Sequence, residues 1–248
     1  MSRTVTGTIR MRVRGQAVEM TLSVPEGPVA LDAMLPVFRI MTDHFVEAAG
    51  AAEAKAGRTV SCGARCDACC RQLIPLTEPE ARRLADLVKQ MPEPRRTAVR
   101  NRFSALQAAL QAEGLLQILY NRETLDKTAL HDLGMRYLAL EVECPFLEDK
   151  NCSIHSERPL ACREHLVTSP PELCRNPAAA TISKVPMPAS IFGAAANLQR
   201  SEKMPTAPFV PLPLALEWKG NTERKRRGTE WLQGVMEGLS GKKEPKAE

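Results

Sequence analysis

The chain has 248 residues, of which 44% are hydrophobic and 25% are charged. This composition is ordinary for a soluble globular protein, and the length is sufficient for one sizeable hydrophobic core. A net charge of +5 is too small to indicate nucleic-acid binding by itself, so we expect no nucleic-acid partner.

Targeting and membrane segments are not evident in the sequence. The first 15 residues are charged throughout, and no stretch approaches 18 apolar residues. We therefore expect a cytoplasmic protein with no membrane partner, in a compartment where thiols stay reduced. That setting disfavours disulfides for the cysteines described below.

The N-terminal part predicts a β-hairpin followed by a long helix. Apolar and polar residues alternate over residues 6–24 around a glycine-containing turn, which is the hairpin pattern, and Arg10 can face Glu19 across the strands. Apolar residues recur at helical spacing over residues 31–55, and Gly57 is a suitable stop.

The middle of the chain predicts helices on both sides of cysteine-rich loops. Thr77 and Glu80 match a capping box at the start of one helix, and further helices are predicted over residues 93–113 and 122–139. The stretch CPFLEDKNCSIH predicts two short extended pieces joined by a polar turn, and Ser156 is suited to cap the short helix that follows.

The resulting fold class is α+β and mostly helical, with a metal-nucleated cysteine-cluster domain and an N-terminal hairpin. We divide the chain into three parts of a single domain. These are residues 1–57, the hairpin and helix packed on the core; residues 58–180, the cysteine-cluster metal-binding domain; and residues 181–248, a Pro-rich segment, an amphipathic helix and a basic tail. The basic run Arg224–Arg227 opens that helix and is expected to be a solvated face.

Eight cysteines are the chemically informative residues, and all of them lie in the middle part of the chain. They are candidate metal ligands: Cys62, Cys66, Cys69, Cys70, Cys144, Cys152, Cys162 and Cys174. Close cysteine spacing is shared by zinc and iron–sulfur sites. The adjacent pair is an exception, because neighbouring side chains diverge in both strands and helices. We therefore expect Cys69 and Cys70 not to bind one ion together, which leaves one centre or two as open alternatives.

The sequence leaves the roles of several residues near the cysteines undecided. Arginines that neighbour the cysteines suit the negative charge of a thiolate centre: Arg65, Arg71, Arg158, Arg163 and Arg175. His165 follows Cys162 by three residues, a spacing that two ligands of one metal can have. Asp67 is better explained as a residue that forms a turn than as a catalytic base. The first three cysteines also match radical-SAM spacing, but Ala68 stands where that family usually has an aromatic residue, and helices are predicted where it needs βα units.

Three ordered motifs closely resemble the CxxCxxCC cysteine-cluster family, which includes YkgJ-type bacterial proteins. CGARCDACC matches its first block, Cys144-Pro145-Phe146-Leu147 and Cys152-Ser153-Ile154-His155 match the second, and Arg158-Pro159-Leu160-Ala161-Cys162-Arg163 matches the third. The resemblance covers roughly residues 60–176. The sequence departs from the family pattern at two places. Three residues instead of two separate Cys62 from Cys66, so Cys62 does not match the position of the family's first cysteine. His155 stands where the family usually has a tyrosine.

The resemblance implies metal binding, by an iron–sulfur cluster (4Fe–4S preferred) or by Zn2+. One open function is a binding protein with a structural, sensing or metal-handling role. The other is a metal-dependent enzyme that modifies a protein substrate, because the family includes a flagellin lysine N-methylase. No nucleotide loop or catalytic triad motif is evident for the second function, so catalytic residues are not assigned.

Overall fold

The computed structural model describes residues 3–13, 16–176, 182–200, 208–220 and 224–239. Helices make up 53% of the structure and accompany a small N-terminal antiparallel sheet, so the α+β, mostly helical class is confirmed. The α-helices of the described residues are α1 Leu35–Lys55, α2 Glu78–Gln90, α3 Arg95–Ala112, α4 Leu115–Tyr120, α5 Lys127–Leu138, α6 Leu160–Glu164, α7 Ile191–Asn197 and α8 Gly228–Leu239.

The strands of the described residues form four separate antiparallel pairs, β1 with β2, β3 with β8, β4 with β7 and β5 with β6. Their bounds are β1 Thr4–Val13, β2 Gln16–Pro25, β3 Pro28–Ala30, β4 Pro75–Leu76, β5 Leu147–Glu148, β6 Asn151–Cys152, β7 Val210–Pro211 and β8 Lys225–Arg227. The predicted hairpin is β1–β2, in which Arg10 lies opposite Glu19 and Arg10 Nε donates to Glu19 Oε2 at 2.9 Å. Both side chains are exposed, so this pair contributes little stability.

The long N-terminal helix begins with a 3₁₀ turn, Leu31–Met34, and continues as α1. It ends before Gly57, whose φ of 72° is the left-handed conformation that glycine adopts without strain. Phe38, Met41 and Phe45 form its buried stripe. The predicted span of residues 31–55 is therefore correct, although its first turn is not α-helical.

Two hydrophobic cores organise the described residues. The first combines β2, α1, α7 and α8, and includes Trp231, whose Nε1 donates to Val29 O at 2.9 Å. The second combines α2 to α5 with the second cysteine region and β7; there Phe103 and Phe146 meet edge to face with ring centroids 5.4 Å apart. The C-terminal part contributes to both cores, while the division of the chain into three parts stays a prediction.

The capping box at the start of α2 is confirmed, and it has a second partner. Thr77 Oγ1 accepts from Glu80 N–H, and Glu80 Oε2 accepts from Thr77 N–H at 2.8 Å. The other oxygen, Glu80 Oε1, accepts from Leu160 N–H at 2.7 Å. Glu80 is buried, so these bonds fix the first residue of α6, the helix that contains Cys162, against the start of α2.

Some local predictions were wrong. Ser156 lies inside a 3₁₀ turn, His155–Glu157, and α6 instead begins after Pro159. The predicted helix over residues 122–139 begins only at Lys127, because Asp126 caps it by accepting from Ala129 N–H at 2.9 Å. Helix α4 was not predicted.

The basic run forms strand β8 before the last helix, with Arg226 packed over the Trp231 ring. Its neighbours across the sheet are the residues of β3. Residues 14–15 of the hairpin turn and the basic tail after Leu239 lie outside the described residues. Within the described ranges, every helix is too short or too polar to cross a membrane.

Candidate metal centre

The eight candidate cysteines lie on short elements and loops between the helices. Cys62 and Cys66 lie on the loop after α1, and Cys69 and Cys70 on a 3₁₀ turn, Ala68–Arg71. The second half of the set comprises Cys144 before β5, Cys152 in β6, Cys162 in α6 and Cys174 in a 3₁₀ turn, Pro171–Arg175. All eight are free thiols, and Cys174 is fully buried while the others are partly buried.

One group of thiols surrounds a small apolar cluster. Cys62, Cys66 and Cys174 pack with Ala68, Val167 and Ile182. The Cys62 sulfur accepts from Val167 N–H at 3.4 Å, and the loop is fixed further because Ser61 N–H donates to Val167 O at 2.9 Å. The side chain of Gln72 donates to Cys174 O at 3.2 Å, which ties the two 3₁₀ turns together.

Cys144 and Cys152 pack against the second core. Cys144 N–H donates to Cys70 O at 2.7 Å, a backbone bond that joins the two halves of the cysteine sequence directly. Cys152 lies opposite Leu147 in the β5–β6 pair, and Cys162 O accepts from Arg158 Nη2 at 2.7 Å. The sulfurs of Cys144 and Cys152 each accept from the backbone N–H two residues later, that of Phe146 and that of Ile154.

These backbone donors were not predicted from the sequence. Backbone N–H groups that point at sulfur are common around metal-bound thiolates, because they stabilise the negative sulfur. The available signal was the position of Phe146 and Ile154 two residues after a cysteine, within the blocks Cys-Pro-x-Leu and Cys-x-Ile that resemble the family motif.

Cys69 and Cys70 lie together on the Ala68–Arg71 turn, and the expectation that they do not bind one ion together stays a prediction. The Cys70 thiol donates a hydrogen bond to the Cys69 sulfur, because the 3₁₀ turn brings the neighbours together. This bond lowers the pKa of Cys69 to about 6, with a smaller contribution from Arg158. The same bond, burial and the Cys69 charge raise the pKa of Cys70 far above its ordinary value.

Most of the other thiols are held in the protonated form. Burial is the first cause in each case: it raises the pKa of Cys144 to about 12 and that of Cys174 to about 11, and it also raises the pKa of Cys62, Cys152 and Cys162. The charge on Cys69 contributes to every one of these increases. Cys69 therefore lies at the electrostatic centre of the set.

Arg158 acts on four of these sulfurs. Its charge lowers the pKa of Cys62, Cys69, Cys152 and Cys162, opposing the effect of burial. The residue is partly buried and its Nη2 donates to Cys162 O. It is placed to compensate negative charge on thiolates from both halves of the cysteine sequence.

The other predicted arginines mostly pair with carboxylates. Arg163 Nη1 contacts Asp43 Oδ1 at 2.8 Å, and Arg175 Nη2 contacts Asp67 Oδ1 at 2.6 Å. Arg71 contacts Asp67 and Glu143, while Arg65 is exposed with a φ of 64°.

Asp67 is a turn residue with two arginine partners. Its backbone O accepts from Cys70 N–H at 2.9 Å, as expected of a turn former. Although burial raises the pKa of the Asp67 carboxyl, the bonds to Arg175 and the charge of Arg71 lower it overall. Asp67 thus fixes the start of the Cys69–Cys70 turn and stays ionised.

The two histidines near the cysteines differ in their surroundings. His155 is exposed in a 3₁₀ turn. His165 is partly buried at the end of α6, and its Nε2 atom has no hydrogen-bond partner among the described residues. His165 also borders a cleft of about 380 Å³, together with Glu164, Lys184, Met187 and Phe192.

The chemistry of the donor set fits a soft metal. Cysteine thiols, backbone donors to sulfur and a partly buried arginine suit a thiolate-ligated zinc or iron–sulfur site. Across the described ranges, no three or more His, Cys, Asp or Glu side chains are grouped so that they could hold one metal ion. The eight cysteines thus lie on neighbouring segments of the described chain without three of them forming such a group.

Comparison with known proteins agrees with this donor chemistry. Residues 61–181 match the model of the CxxCxxCC family, described as a "Putative zinc- or iron-chelating domain". This match shows a CxxCxxCC domain over residues 61–181, just under half of the chain. The matched stretch contains all eight cysteines. No curated protein and no solved structure matches the chain.

Selective alkylation tests the lowered pKa of Cys69. In the reduced, metal-free protein, we expect iodoacetamide at pH 7 to modify Cys69 before Cys144 and Cys162, because a thiolate is the reactive form. Its rate should rise to half of its maximum near pH 6. Peptide mass spectrometry over a pH series provides the measurement.

Two variants control this alkylation experiment. Cys70→Ala removes the donor to Cys69, so it should raise the pKa of Cys69 and slow modification at pH 7. Cys152→Ala keeps the Cys69–Cys70 pair and should leave the rate unchanged. Equal rates for Cys69 in all three proteins would contradict the hydrogen-bonded pair.

Substitution of Arg158 tests charge compensation. Arg158→Gln keeps a hydrogen-bond donor but removes the charge, so it should weaken metal affinity by about tenfold or more, as for other groups around metal ligands. Affinity is measured by competition with a chelator of known strength. Arg65→Gln is the matched control, because Arg65 lies between Cys62 and Cys66 but is exposed. An equal loss in both variants would show that net charge alone matters.

Proposed function

We propose that this protein binds metal through a thiolate-ligated centre and has a structural, sensing or metal-handling role. The observation that supports this most strongly is that two cysteine-rich segments about 80 residues apart, with eight free thiols between them, are joined directly by the bond from Cys144 N–H to Cys70 O. Closely spaced cysteines are the ligands that a soft metal ion or an iron–sulfur cluster takes as thiolates.

Of the two metals, we propose an iron–sulfur cluster ahead of zinc. Sulfur-only donors suit both, and the partly buried histidine, His165, is not needed by the family pattern. The preference rests on the resemblance to the family branch that contains the lysine methylase. The bound group supplies charge stabilisation and, for iron, electron transfer.

Metal binding has to change the protonation of the site. Thiols bind metal as thiolates, so those with a raised pKa must release protons when metal binds. Affinity should therefore fall as the pH is lowered. Since no group of side chains is positioned to hold a metal in advance among the described residues, the proposal also requires the sulfurs to move closer together on binding.

Metal content and stability test the proposal together. After anaerobic purification, we expect stoichiometric iron with visible absorption, and removal by a chelator should lower the melting temperature. The physical reason is that metal–ligand bonds formed only in the folded chain contribute directly to folding free energy, about 10–16 kcal/mol for a structural zinc. Elemental analysis, an absorption spectrum and a thermal melt are the measurements.

The outcomes separate the alternatives. A colourless protein with stoichiometric zinc would contradict the iron–sulfur preference but support the metal centre. A metal-free protein that takes up neither metal and melts at the same temperature with and without chelator would contradict the proposal. The variant with all eight cysteines replaced by serine is the control for metal bound elsewhere.

The cleft beside α6 favours a second candidate, a metal-dependent enzyme that modifies a protein side chain. The cleft opens on the helix that contains Cys162, and it combines Met187 and Phe192 with the polar groups of Glu164, His165 and Lys184. Mostly apolar clefts with a few polar groups are typical of substrate sites. Here the Nε2 atom of His165 is buried without a partner in the described part of the chain.

A substrate-labelling experiment tests this second candidate. Metal-loaded protein is incubated with an S-adenosylmethionine methyl donor and bacterial protein extract, and methylated lysines are identified by mass spectrometry. We expect His165→Ala to abolish labelling while leaving metal content and melting temperature unchanged. Labelling that persists in this variant would place the reaction elsewhere, and its absence in the wild type would favour the binding role.

A further inference from the structure

The outer edge of strand β1 is long, regular and open. The strand has 10 residues, contains no proline and pairs with β2 from end to end without a bulge. Among the described residues, β2 is its only hydrogen-bonded neighbour. Strands of globular proteins usually have about 5–6 residues, and exposed edges are commonly protected by short length, prolines or bulges. Since β1 has none of these three protections, its edge can accept another strand.

The backbone groups that β1 presents at this edge follow from its pairing with β2. Glu26 N–H donates to Arg3 O at 2.9 Å, and these two residues continue the β1–β2 register. Because hydrogen-bonded and non-hydrogen-bonded pairs alternate in an antiparallel ladder, the odd-numbered residues of β1 bond to β2. The even-numbered residues therefore direct their N–H and C=O groups outward, and they are Thr4, Thr6, Thr8, Arg10 and Arg12.

The outer edge of β2 is less suited to pairing with another strand. Pro25 lies at the C-terminal end of β2 and has no N–H to donate. Gly228, the first residue of α8, lies so close to Pro25 O that a Cβ atom at position 228 would have no space. One end of the β2 edge is thus covered by the protein itself.

The side chains along the β1 edge form an uncharged half followed by a basic half. Thr4, Thr6 and Thr8 come first, and Arg10 and Arg12 follow. In an antiparallel pair of copies with the twofold axis at Thr8, Arg10 would lie opposite Thr6 of the second copy. Arg12 would lie opposite Thr4 in the same way. This register pairs every outward backbone group of β1 and sets no arginine directly opposite another, whereas a parallel pair would place the basic halves side by side.

The other face of β1 supports the same register. Ile9 and Met11 pack partly against the first core, while Val5 is 44% exposed. A Cβ atom at Gly7 would meet no other atom within 4 Å, so there is open space on this face. With the axis at Thr8, Met11 would face Val5 of the second copy. Ile9 would face Gly7, so pairing would cover apolar surface that one copy leaves partly exposed.

We propose that two copies of this protein associate through their β1 strands and form one continuous four-stranded antiparallel sheet, with the twofold axis at Thr8. Main-chain hydrogen bonds supply affinity in such strand addition, and a twofold interface requires the same surface on both copies. The arginines would also attract an acidic strand of another protein. Glu19 already pairs with Arg10 within the hairpin, which weakens that attraction and favours the second copy.

Sedimentation velocity of the reduced, full-length protein over a concentration series tests the proposal. We expect a species with twice the chain mass of 27.3 kDa, in equilibrium with the single chain on dilution. A single chain at every concentration would overturn the proposal and leave the β1 edge to another partner.

Two proline variants locate the interface on β1. Thr8 and Thr21 lie opposite each other, and their hydroxyl groups form a hydrogen bond of 3.1 Å. Thr8→Pro and Thr21→Pro both lose this bond, and each removes an N–H that points away from the hairpin, a position where an edge strand tolerates proline. Only Thr8→Pro removes a donor from the proposed interface, so it should be monomeric while Thr21→Pro stays dimeric. A dimer that persists in Thr8→Pro, or equal loss in both variants, would overturn the proposal.

Two charge variants test the register without altering the backbone. Thr6 and Ser23 lie opposite each other with their hydroxyl groups bonded at 2.7 Å, so Thr6→Glu and Ser23→Glu lose the same bond and gain the same charge. Only Thr6→Glu would face Arg10 of the second copy. It should lower the dimer dissociation constant several-fold, because opposite charges directly across a ladder attract. Equal dissociation constants in the two variants would overturn the register.

Discussion

Burial of many thiols in a small volume is the constraint on which the rest of this structure depends. Each buried thiol resists ionisation, yet a metal centre needs most of them as thiolates. The protein meets this requirement with hydrogen bonds and one well-placed cation. Backbone N–H groups point at Cys62, Cys144 and Cys152, and Arg158 acts on both halves of the cysteine sequence.

The helical scaffold holds the second cysteine region in place through buried or partly buried polar contacts. Glu157 pairs with Arg39 at 2.7 Å and with Arg83 at 2.8 Å, so the turn before Arg158 is fixed to α1 and α2. Glu80 fixes the start of α6 in the same way. These contacts are made by the protein itself, which lets the thiols lie near each other before any metal binds.

The sequence was informative wherever a local pattern had a single physical explanation. Strict alternation gave the hairpin, the Thr77 and Glu80 pair gave the start of α2, and glycine at position 57 gave the end of α1. Competing local signals caused the errors. A cap at Asp126 delayed α5, and Pro159 rather than Ser156 preceded α6.

The candidate site was predictable in composition but not in arrangement. Spacing and motif order predicted the eight cysteines as candidate ligands and pointed to the arginines beside them, because these signals are local in sequence. The separation into two packing groups depends on contacts such as Cys144 with Cys70 and Gln72 with Cys174, which join residues more than 70 positions apart. No local pattern encodes such pairings, and none distinguishes Arg158 from the arginines that pair with carboxylates.

X-ray absorption at the metal edge of the purified full-length protein tests the central claim most directly, namely that the gathered thiols are the ligands of a metal centre. The account predicts a first coordination shell of sulfur alone, at about 2.3 Å for zinc. A shell dominated by nitrogen or oxygen would contradict it, because the metal would then be bound outside the cysteine cluster.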